Sequence, residues 1–382
     1  MHENCNNETV KTSHPSKKMA IQWRHVKVKI LLTGAFGNVG TSTLKELIKR
    51  DHQIRCFDIP TRANKQKAKK FRKYQSKMEI IWGDLRKISD VERAVKDVDV
   101  IIHLAAIIPP LANNRPEVAE PVNVGGTKNI ITTIKKQTKQ PKLIFSSSVA
   151  IYGDVRAKGF DYIIKTTDQI NPSSHDHYAR HKIKCESMIQ ESGINYAIFR
   201  FAAIPPLDQG TDPIMFDVPL DTPIEICHTL DTGFAMVNAI ENDEVWGKIL
   251  HIAGGPECRV SYKEYVGTIL DMMGIGRLPD QAFGNEPFHC GFMDTTESEE
   301  ILHYQRHTFS DYLQDIKKYY SVARIFARIF RPAVRRWLLN QSPYYKAYIN
   351  SIKEYIHNKK KRTLKSKKKI TPNSTKTPKL SQ

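Results

Sequence analysis

A tyrosine and a lysine four residues apart are well suited to proton transfer. Tyr178 and Lys182 lie in "HDHYARHKIKCESMIQ", a stretch predicted to be helical, so both side chains project from one face. A tyrosine hydroxyl with its usual pKa of about 10 is a poor base at neutral pH, but a neighbouring ammonium stabilises the phenolate and lowers that pKa. Ser148 could hydrogen-bond a substrate oxygen beside them. The set predicts acid–base chemistry, although the spacing of the pair alone also arises by chance.

A glycine-rich turn precedes these residues in "ILLTGAFGNVG". Residues 26–32 are predicted to form a strand, and 38–50 have the spacing of an amphipathic helix. At such a strand-to-helix turn, Gly34 would make the tight bend, Gly37 would let the main chain approach a pyrophosphate, and Gly40 would let helix pack on strand. Taken alone, the pattern also fits an ordinary turn that binds nothing.

An aspartate follows the second predicted strand, about 20 residues after the glycines, where dinucleotide-binding folds place the carboxylate that holds the ribose hydroxyls. Asp58 occupies that position. A carboxylate at this position favours NAD over NADP as the cofactor. Arg62 and Lys65 lie nearby in the sequence and leave NADP as an alternative. By itself, Asp58 could equally be a surface residue that ends a strand.

The elements that position these side chains are apolar runs separated by polar or helical stretches, the pattern of a parallel sheet covered on both faces. Ligands of such sheets bind at the carboxyl ends of the strands. The predicted fold is therefore α/β, a Rossmann-type doubly wound parallel sheet with a small C-terminal substrate-binding region. After the first strand, the predicted strands are residues 53–59, 78–83, 98–106, 142–148, 195–203 and 248–254.

The composition excludes several classes of protein. With 382 residues and 40% hydrophobic content, the chain can bury a full core. It has no run of about 18 apolar residues, and its N-terminus, "MHENCNNETVKTSHPSKK", has no apolar signal region, so a cytoplasmic location is expected. Its six cysteines include no CxxC pair, which argues against structural zinc and a disulfide framework. No metal site is expected.

From about residue 26 to residue 317 the sequence resembles the extended short-chain dehydrogenases/reductases, including the NAD-dependent epimerases and dehydratases. Besides the glycine turn, Asp58 and the Tyr178/Lys182 pair, several shorter motifs carry the resemblance. They are "GDL" at 83–85, "HLAA" at 103–106, "NVGGT" at 123–127, "SSSVAIYG" at 146–153 and "HTLD" at 228–231.

The resemblance implies a role for each matching residue. Tyr178 would be the general acid/base during hydride transfer with the nicotinamide, Lys182 would also hold the nicotinamide ribose, and Ser148 would complete the catalytic set. Asp84 would meet the adenine amino group, and a homodimer is a family expectation. The implied cofactor site comprises Gly34, Phe36, Gly37, Asn38, Val39, Gly40, Asp58, Asp84, Leu85, Leu104, Ala105, Ala106, Asn123, Tyr178 and Lys182. His103 and His228 are interpreted as structural.

The substrate region departs from the pattern of sugar-nucleotide epimerases. Ala202 and Ala203 stand where those enzymes place an asparagine that helps hold the substrate's phosphates, and Ile224 stands in place of an arginine. The usual diphosphate clamp is therefore absent, which weakens the case for a UDP-sugar substrate. The loop at 106–116, "AIIPPLANNRP", is predicted to contact the substrate.

Three functions remain open at this point. The first is an NAD-dependent epimerase or dehydratase acting on a sugar or sugar nucleotide through a transient keto intermediate. The second is a net alcohol dehydrogenase or ketone reductase for a smaller, less polar substrate, which the apolar loop would suit. The third is a dinucleotide-binding scaffold without catalysis, against which the complete set of Ser148, Tyr178 and Lys182 argues.

The positive charge is concentrated at the C-terminal end: the last 66 residues carry +18 of the net charge of +19. We predict a disordered extension at 1–25, the enzyme body at 26–316 with substrate-binding portions at about 204–230 and 255–316, a basic amphipathic helical segment at 317–350 and a disordered polybasic tail at 351–382. The helical segment could cap the protein's own core or a partner, or lie at the inner membrane surface on anionic lipid. Nucleic acid is expected to bind only nonspecifically.

Overall fold

The computed structural model describes residues 27–208 and 212–369, with side chains as far as residue 362. The N-terminal extension expected at residues 1–25 and the end of the basic tail lie outside the described residues.

Seven parallel strands form the central sheet, in the order β3-β2-β1-β4-β5-β7-β9. All seven strands predicted from the sequence are present, although most are shorter than expected. Their bounds are β1 (Lys29–Thr33), β2 (Gln53–Asp58), β3 (Met78–Trp82), β4 (Val100–His103), β5 (Lys142–Ser148), β7 (Tyr196–Phe201) and β9 (Ile249–Ile252). The doubly wound α/β fold is thereby confirmed.

Alternate residues of each strand enter cores on opposite faces of this sheet, because successive strand side chains point to opposite sides. On β1, Ile30 and Leu32 belong to one core and Leu31 belongs to the other. The flanking helices are α1 (Asn38–Lys49), α2 (Arg62–Lys69), α3 (Ile88–Val95), α4 (Leu111–Asn114), α5 (Pro116–Glu120), α6 (Gly126–Lys136), α7 (His177–Gln190) and α8 (Thr229–Ile240).

A second part of the molecule, here called the substrate lobe, has its own apolar core, which includes Phe216, Ile224, Tyr262, Phe283 and Ile316. Two short sheets stabilise this end of the chain: β8 (Pro223–Glu225) pairs antiparallel with β10 (Arg259–Ser261), and β6 (Ile163–Ile164) pairs parallel with β11 (Phe292–Met293). Its helices are α9 (Tyr262–Met272) and α11 (Phe309–Tyr319). Helix α10 (Thr296–Leu302) instead packs on the central sheet, where Ile301 and Leu302 join the core that contains Ile30 and Leu32.

The C-terminal segment differs from the expected division at residue 317, because α11 runs across that boundary. Three helices follow: α12 (Ala323–Ile329), α13 (Arg331–Leu339) and α14 (Pro343–Lys369). Pro332 lies in the first turn of α13, where the missing N–H is tolerated. The segment predicted to be a basic amphipathic helix therefore begins with two separate helices after α11.

The tail predicted to be disordered from residue 351 is helical as far as Lys369. The start of α14 is anchored to the substrate lobe: the Ser342 hydroxyl accepts from the Tyr345 N–H at 3.0 Å and donates to the Ala282 carbonyl at 2.6 Å. The anchored first turn supplies the helical nucleus from which the lysine-rich sequence continues. Within the described residues, none of the helices combines the length and the apolarity needed to span a bilayer.

Candidate active site

The carboxyl ends of β1, β4 and β5 bring the predicted site residues to one edge of the sheet. Thr33 lies beside His103 in the register of β1 and β4, and their side chains are hydrogen-bonded at 2.7 Å. A Cβ on Gly34 would lie only 2.8 Å from the Ala105 nitrogen. The turns after β1 and β4 therefore touch each other, so the glycines and the "HLAA" segment share one cleft.

The glycine turn has the geometry expected of a phosphate cradle. Gly34 has a φ of +66°, which favours glycine. A Cβ on Gly40 would lie 2.0 Å from the Gly34 oxygen, so only glycine lets α1 approach the turn this closely. Gly37 caps α1 without a side-chain hydrogen bond, which leaves the positive end of the helix for an anion.

Three other predicted cofactor residues in this turn direct their side chains into the protein. The Phe36 ring is fully buried, 5.4 Å from that of Trp82, and Val39 packs against the same core. The Asn38 amide donates to the Ile204 carbonyl at 3.0 Å. Phe36 and Val39 can therefore offer a cofactor mainly their main chains, whereas Asn38 ties the glycine turn to the segment that follows β7.

Asp58, at the end of β2, lies beside the glycine turn. One carboxylate oxygen accepts from the Phe36 N–H at 2.9 Å, and the other accepts from the Asn64 side chain at 2.9 Å. Burial raises the pKa of Asp58, opposed by backbone hydrogen bonds and by the Lys67 charge. Lys67 also donates to the Phe36 carbonyl at 3.1 Å. Sequence reasoning had not identified Lys67, because its contacts join residues far apart in the chain.

Asp84 and Leu85 follow β3. The Asp84 carboxylate is held by Arg86 at 2.6 Å, and this hydrogen-bonded contact lowers the pKa of Asp84. Leu85 is buried in the core, where it fills the space beside Gly126. If Asp84 contacts adenine as predicted, its carboxylate has to bind adenine and Arg86 at the same time.

The Asn123 side chain is hydrogen-bonded to the main chain of the loop after β4, not directed at a ligand. Its amide oxygen accepts from the Ile107 N–H at 2.7 Å, and its amide nitrogen donates to the Ile107 carbonyl at 2.9 Å. The side chain is buried. Asn123 therefore fixes the loop after β4, and with it Leu104, Ala105 and Ala106.

The predicted catalytic residues meet at the end of β5. Tyr178 and Lys182 lie on α7, and a hydrogen bond joins Tyr178 to Ser148. The buried Lys182 ammonium donates to the Ser146 carbonyl at 2.5 Å and lies 5.6 Å from the centre of the Tyr178 ring. Burial lowers the pKa of Lys182 to about 8.

The expected lowering of the Tyr178 pKa is not found. Burial raises the pKa of Tyr178 above its usual value, and the hydrogen bond with Ser148 opposes the rise only in part. The physical reason is that the phenolate would lose its hydration, while the Lys182 ammonium is directed at the Ser146 carbonyl.

Three residues that sequence reasoning missed hold the start of α7. The Asn113 side-chain oxygen accepts from the Tyr178 N–H at 3.0 Å, and the Asp176 carboxylate caps the helix by accepting from the Ala179 N–H at 2.9 Å. His289, from the substrate lobe, contacts the Asp176 carboxylate through its ring nitrogen Nδ1. An aspartate just before a helix is a recognisable capping signal, but nothing in the sequence points to Asn113 or His289.

The loop predicted to contact substrate has an apolar surface. Ile108 is 60% exposed and Leu111 is 50% exposed. Asn113, which accepts from the Tyr178 N–H, lies on α4 within the same segment. These apolar side chains therefore belong to the segment that flanks the catalytic residues.

His103 and His228 have structural roles, as predicted. Burial lowers the pKa of His103 to about 3, and its ring contacts Thr33 and Thr127. His228 caps α8 by accepting from the Leu230 N–H at 3.2 Å. Within the described residues, no group of three or more His, Cys, Asp and Glu side chains could hold a metal ion.

Comparison with known proteins gives one family model, the NAD dependent epimerase/dehydratase family, which matches residues 30–206. A 3 beta-hydroxysteroid dehydrogenase/Delta 5-->4-isomerase of Mycobacterium tuberculosis is 27% identical over 166 residues, 42% of each chain. A sterol-4-alpha-carboxylate 3-dehydrogenase (decarboxylating) of Bos taurus is 27% identical over 191 residues, 48% of this chain and 49% of the relative. The chain spans about half the length of the curated relatives it matches.

The fold is also similar to solved structures. A double mutant of a dTDP-glucose 4,6-dehydratase from Streptomyces venezuelae, with NAD bound, has a TM-score of 0.65 and 19% identity. The similarity covers 78% of this chain and 98% of the other. At this identity the likeness supports the fold and does not extend to the substrate.

Proposed function

We propose that the protein binds NAD and catalyses hydride transfer at a hydroxyl or keto carbon, because residues 30–206 match the model of the NAD dependent epimerase/dehydratase family. The observation that carries the proposal is the meeting of Ser148, Tyr178 and Lys182 at the sheet edge that also holds the glycine turn.

The residues present fit a dinucleotide. The uncapped start of α1 and the closely packed Gly34 and Gly40 would receive the pyrophosphate. Asp58 would accept hydrogen bonds from the adenosine ribose and repel a 2′-phosphate, so NAD is the proposed cofactor. NADP remains the second candidate, because Lys67 brings a positive charge to the same corner.

The chain's own groups would manage the proton. In the oxidative direction, the Tyr178 phenolate accepts the proton of the substrate hydroxyl while Ser148 donates a hydrogen bond to the same oxygen. The Lys182 ammonium, 5.6 Å from the centre of the Tyr178 ring, would stabilise the phenolate after the ammonium turns away from the Ser146 carbonyl. NAD, held by the glycine turn and Asp58, would supply a reversible acceptor for the hydride of the substrate carbon. In the reductive direction, the Tyr178 hydroxyl gives the proton back to the substrate oxygen.

We propose a sugar or sugar nucleotide as the first substrate class, with epimerisation or dehydration in nucleotide-sugar metabolism as the outcome. The match of residues 30–206 to the NAD dependent epimerase/dehydratase family model supports this class. A specific observation favours the second class, a net dehydrogenase or reductase of a less polar alcohol or ketone: Ile108 and Leu111 are exposed on the loop that holds the catalytic helix. The sterol and hydroxysteroid dehydrogenases among the relatives support it as well.

A test of cofactor turnover separates these functions. The purified protein is assayed for retained NAD and then mixed with panels of nucleotide sugars and of apolar alcohols and ketones, while NADH absorbance is followed. An epimerase or dehydratase converts a sugar nucleotide without net NADH, whereas a net dehydrogenase forms NADH in proportion to product. Tight NAD binding with no turnover of any compound would favour the scaffold, and failure to bind either NAD or NADP would overturn the proposal.

We also propose a cytoplasmic location, peripheral at the inner membrane surface, and a homodimer. The concentration of positive charge in the last 66 residues supports attachment to an anionic surface. The homodimer rests on the family alone and is tested by the mass measured in solution.

A further inference from the structure

Helix α12 presents an exposed apolar face, which we define as Val322, Ile325, Phe326, Ile329 and Phe330. Each of these side chains is 57% to 65% exposed. The five residues are neighbours on one short helix and at its two ends, so their exposed side chains form one continuous surface. An exposed cluster of this kind marks an interaction site more often than scattered single side chains do.

Loose attachment of this segment does not explain the exposure. Ala327 of α12 and Val334 and Leu338 of α13 pack against the core of the substrate lobe, and Leu338 is completely buried. The Arg331 side chain donates to the Ile275 carbonyl at 3.0 Å, and Arg335 donates to the Gly276 carbonyl at 2.7 Å. The segment is therefore fixed with its apolar face outward.

Arg331 and Arg335 belong to the segment predicted to be a basic amphipathic helix. In the structure they tie α13 to the turn after α9. Their guanidinium groups still line an open cleft.

This basic cleft lies between α13 and α14 and has a volume of about 930 Å³. Its cationic lining consists of Arg331, Arg335, Arg336, Lys346 and Lys353. Arg331 also lines a second cleft of about 480 Å³, together with Arg324 and Arg328 of α12. Positive charge therefore continues from the basic cleft to the helix that carries the apolar face.

We propose that α12 to α14 bind an anionic lipid bilayer, with the apolar face of α12 inserted at the acyl boundary and lipid phosphates held in the basic cleft. An apolar helix face and a cationic surface are the two signals that together give stable peripheral attachment. Each basic residue near an anionic surface adds to the attraction. Between residues 317 and 369 there is one acidic residue, Glu354.

The same observations disfavour two other partners. A second copy of the chain would cover the apolar face, but docking through this face would bring two strongly cationic segments together. Their repulsion opposes a dimer formed through the α12 face. Nucleic acid would match the charge, but it gives no role to the aliphatic side chains Val322, Ile325 and Ile329. A bilayer uses both features.

Bilayer binding would bring the substrate lobe to the membrane. The Tyr344 hydroxyl of α14 donates to the Asp217 carboxylate at 3.0 Å, and Ser342 is bonded to Ala282. The inference rests on the geometry of this surface and does not depend on the proposed hydride transfer, so vesicle binding and NAD binding are measured separately.

The test is co-sedimentation of the full chain with phosphatidylcholine vesicles, with and without phosphatidylglycerol. Ile325→Gln/Ile329→Gln removes apolar groups from the α12 face, and Ile80→Gln/Ile170→Gln removes exposed isoleucines elsewhere as its control. Arg336→Gln/Lys346→Gln/Lys353→Gln removes charge from the cleft. Lys70→Gln/Lys128→Gln/Lys135→Gln, all exposed on the enzyme body, is the matched charge control.

We expect binding to anionic vesicles only, weakened by salt. Both test variants should lower the bound-to-free ratio at least about tenfold, with NAD binding unchanged, and both controls should bind as the wild type does. Equal binding to neutral vesicles, no binding at all, or equal losses in the controls would overturn the proposal. The proposal would also be overturned if the protein formed a dimer without vesicles and Ile325→Gln/Ile329→Gln dissociated that dimer. It would likewise be overturned if RNA displaced the protein fully from vesicles and the same variant bound RNA as tightly as the wild type does.

Discussion

The Lys182 ammonium donates a hydrogen bond to the main-chain oxygen of Ser146 at 2.5 Å, two residues before Ser148 on the same strand. This contact joins α7 to β5 and fixes the lysine beneath the Tyr178 ring. The buried position lowers the pKa of Lys182 to about 8. In the proposed mechanism this one ammonium would serve both the Tyr178 phenolate and a ribose hydroxyl of NAD.

Replacing this lysine should therefore impair two functions together. We expect Lys182→Ala to reduce both turnover and NAD affinity, because one ammonium is assigned both tasks. Lys184→Ala is the control, since Lys184 lies on the same helix but forms an exposed ion pair with Glu120. Isothermal titration with NAD and steady-state rates measure the two effects. A variant that binds NAD as tightly as the wild type would contradict the second role.

Tyr178→Phe should separate catalysis from binding. Loss of the acid/base hydroxyl should lower turnover by roughly 10²–10⁴-fold, while the affinity for NAD changes little, because the ring remains. Tyr196→Phe, on β7, controls for the loss of a hydroxyl elsewhere. Activity of Tyr178→Phe within a few-fold of the wild type would show that the proton is handled by another group.

Asp58 should set the preference for NAD over NADP. We expect Asp58→Asn to narrow the ratio of the two dissociation constants by about tenfold, which corresponds to about 1.4 kcal/mol, because the amide oxygen can still accept the Phe36 N–H while the repulsive charge is gone. Asp161→Asn, at an exposed position, is the control. Equal affinities of the wild type for NAD and NADP would refute this role.

Two glycines allow a matched test of close packing. Gly40→Ala should destabilise the fold by about 1–3 kcal/mol and weaken NAD binding, because its Cβ would collide with the Gly34 oxygen. Gly125 has helical dihedral angles and open space around its Cβ position, so Gly125→Ala should stabilise by about 0.5–1 kcal/mol. Urea unfolding measures both, and equal effects would show that contact with the turn is unimportant.

Two buried histidines should make the protein less stable in mild acid. Burial lowers the pKa of His103 to about 3 and that of His251 to about 4, against about 6.5 in the unfolded chain. Below pH 6.5 the unfolded state therefore binds protons that the folded state does not, and the free energy of unfolding falls as the pH falls toward about 4.

Urea midpoints at pH 7 and pH 5 measure this effect. Between pH 7 and pH 5 the urea midpoint of His251→Gln should fall less than that of the wild type, whatever the stability of this variant at pH 7. The control is His175→Gln, at an exposed position, whose urea midpoint should fall as much as that of the wild type. An unchanged drop in His251→Gln would mean that other groups control the acid response.

The sequence was sufficient for features that depend on residues close together in the chain. Local geometry accounts for three of the predicted features, because strands and helices repeat every two and 3.6 residues. These features are the glycine spacing, the position of Asp58 after its strand, and the four-residue spacing of Tyr178 and Lys182. The seven strands were predicted from their apolar runs for the same reason, and errors were confined to their ends. The Asp176 cap was readable in principle, since it directly precedes its helix.

Only the tertiary structure decided the contacts between distant residues. Asn113 reaches the start of α7 from α4, and His289 reaches it from the substrate lobe. No local sequence pattern marks such partners. The raised pKa of Tyr178 depends on burial, which follows from packing around it. At the C-terminal end, helical spacing identified an apolar and a basic face, but which side chains are buried depends on where the helix docks. Leu338 enters the core while Ile325 stays exposed, because the contacts of Arg331 and Arg335 with the turn after α9 fix the helix orientation.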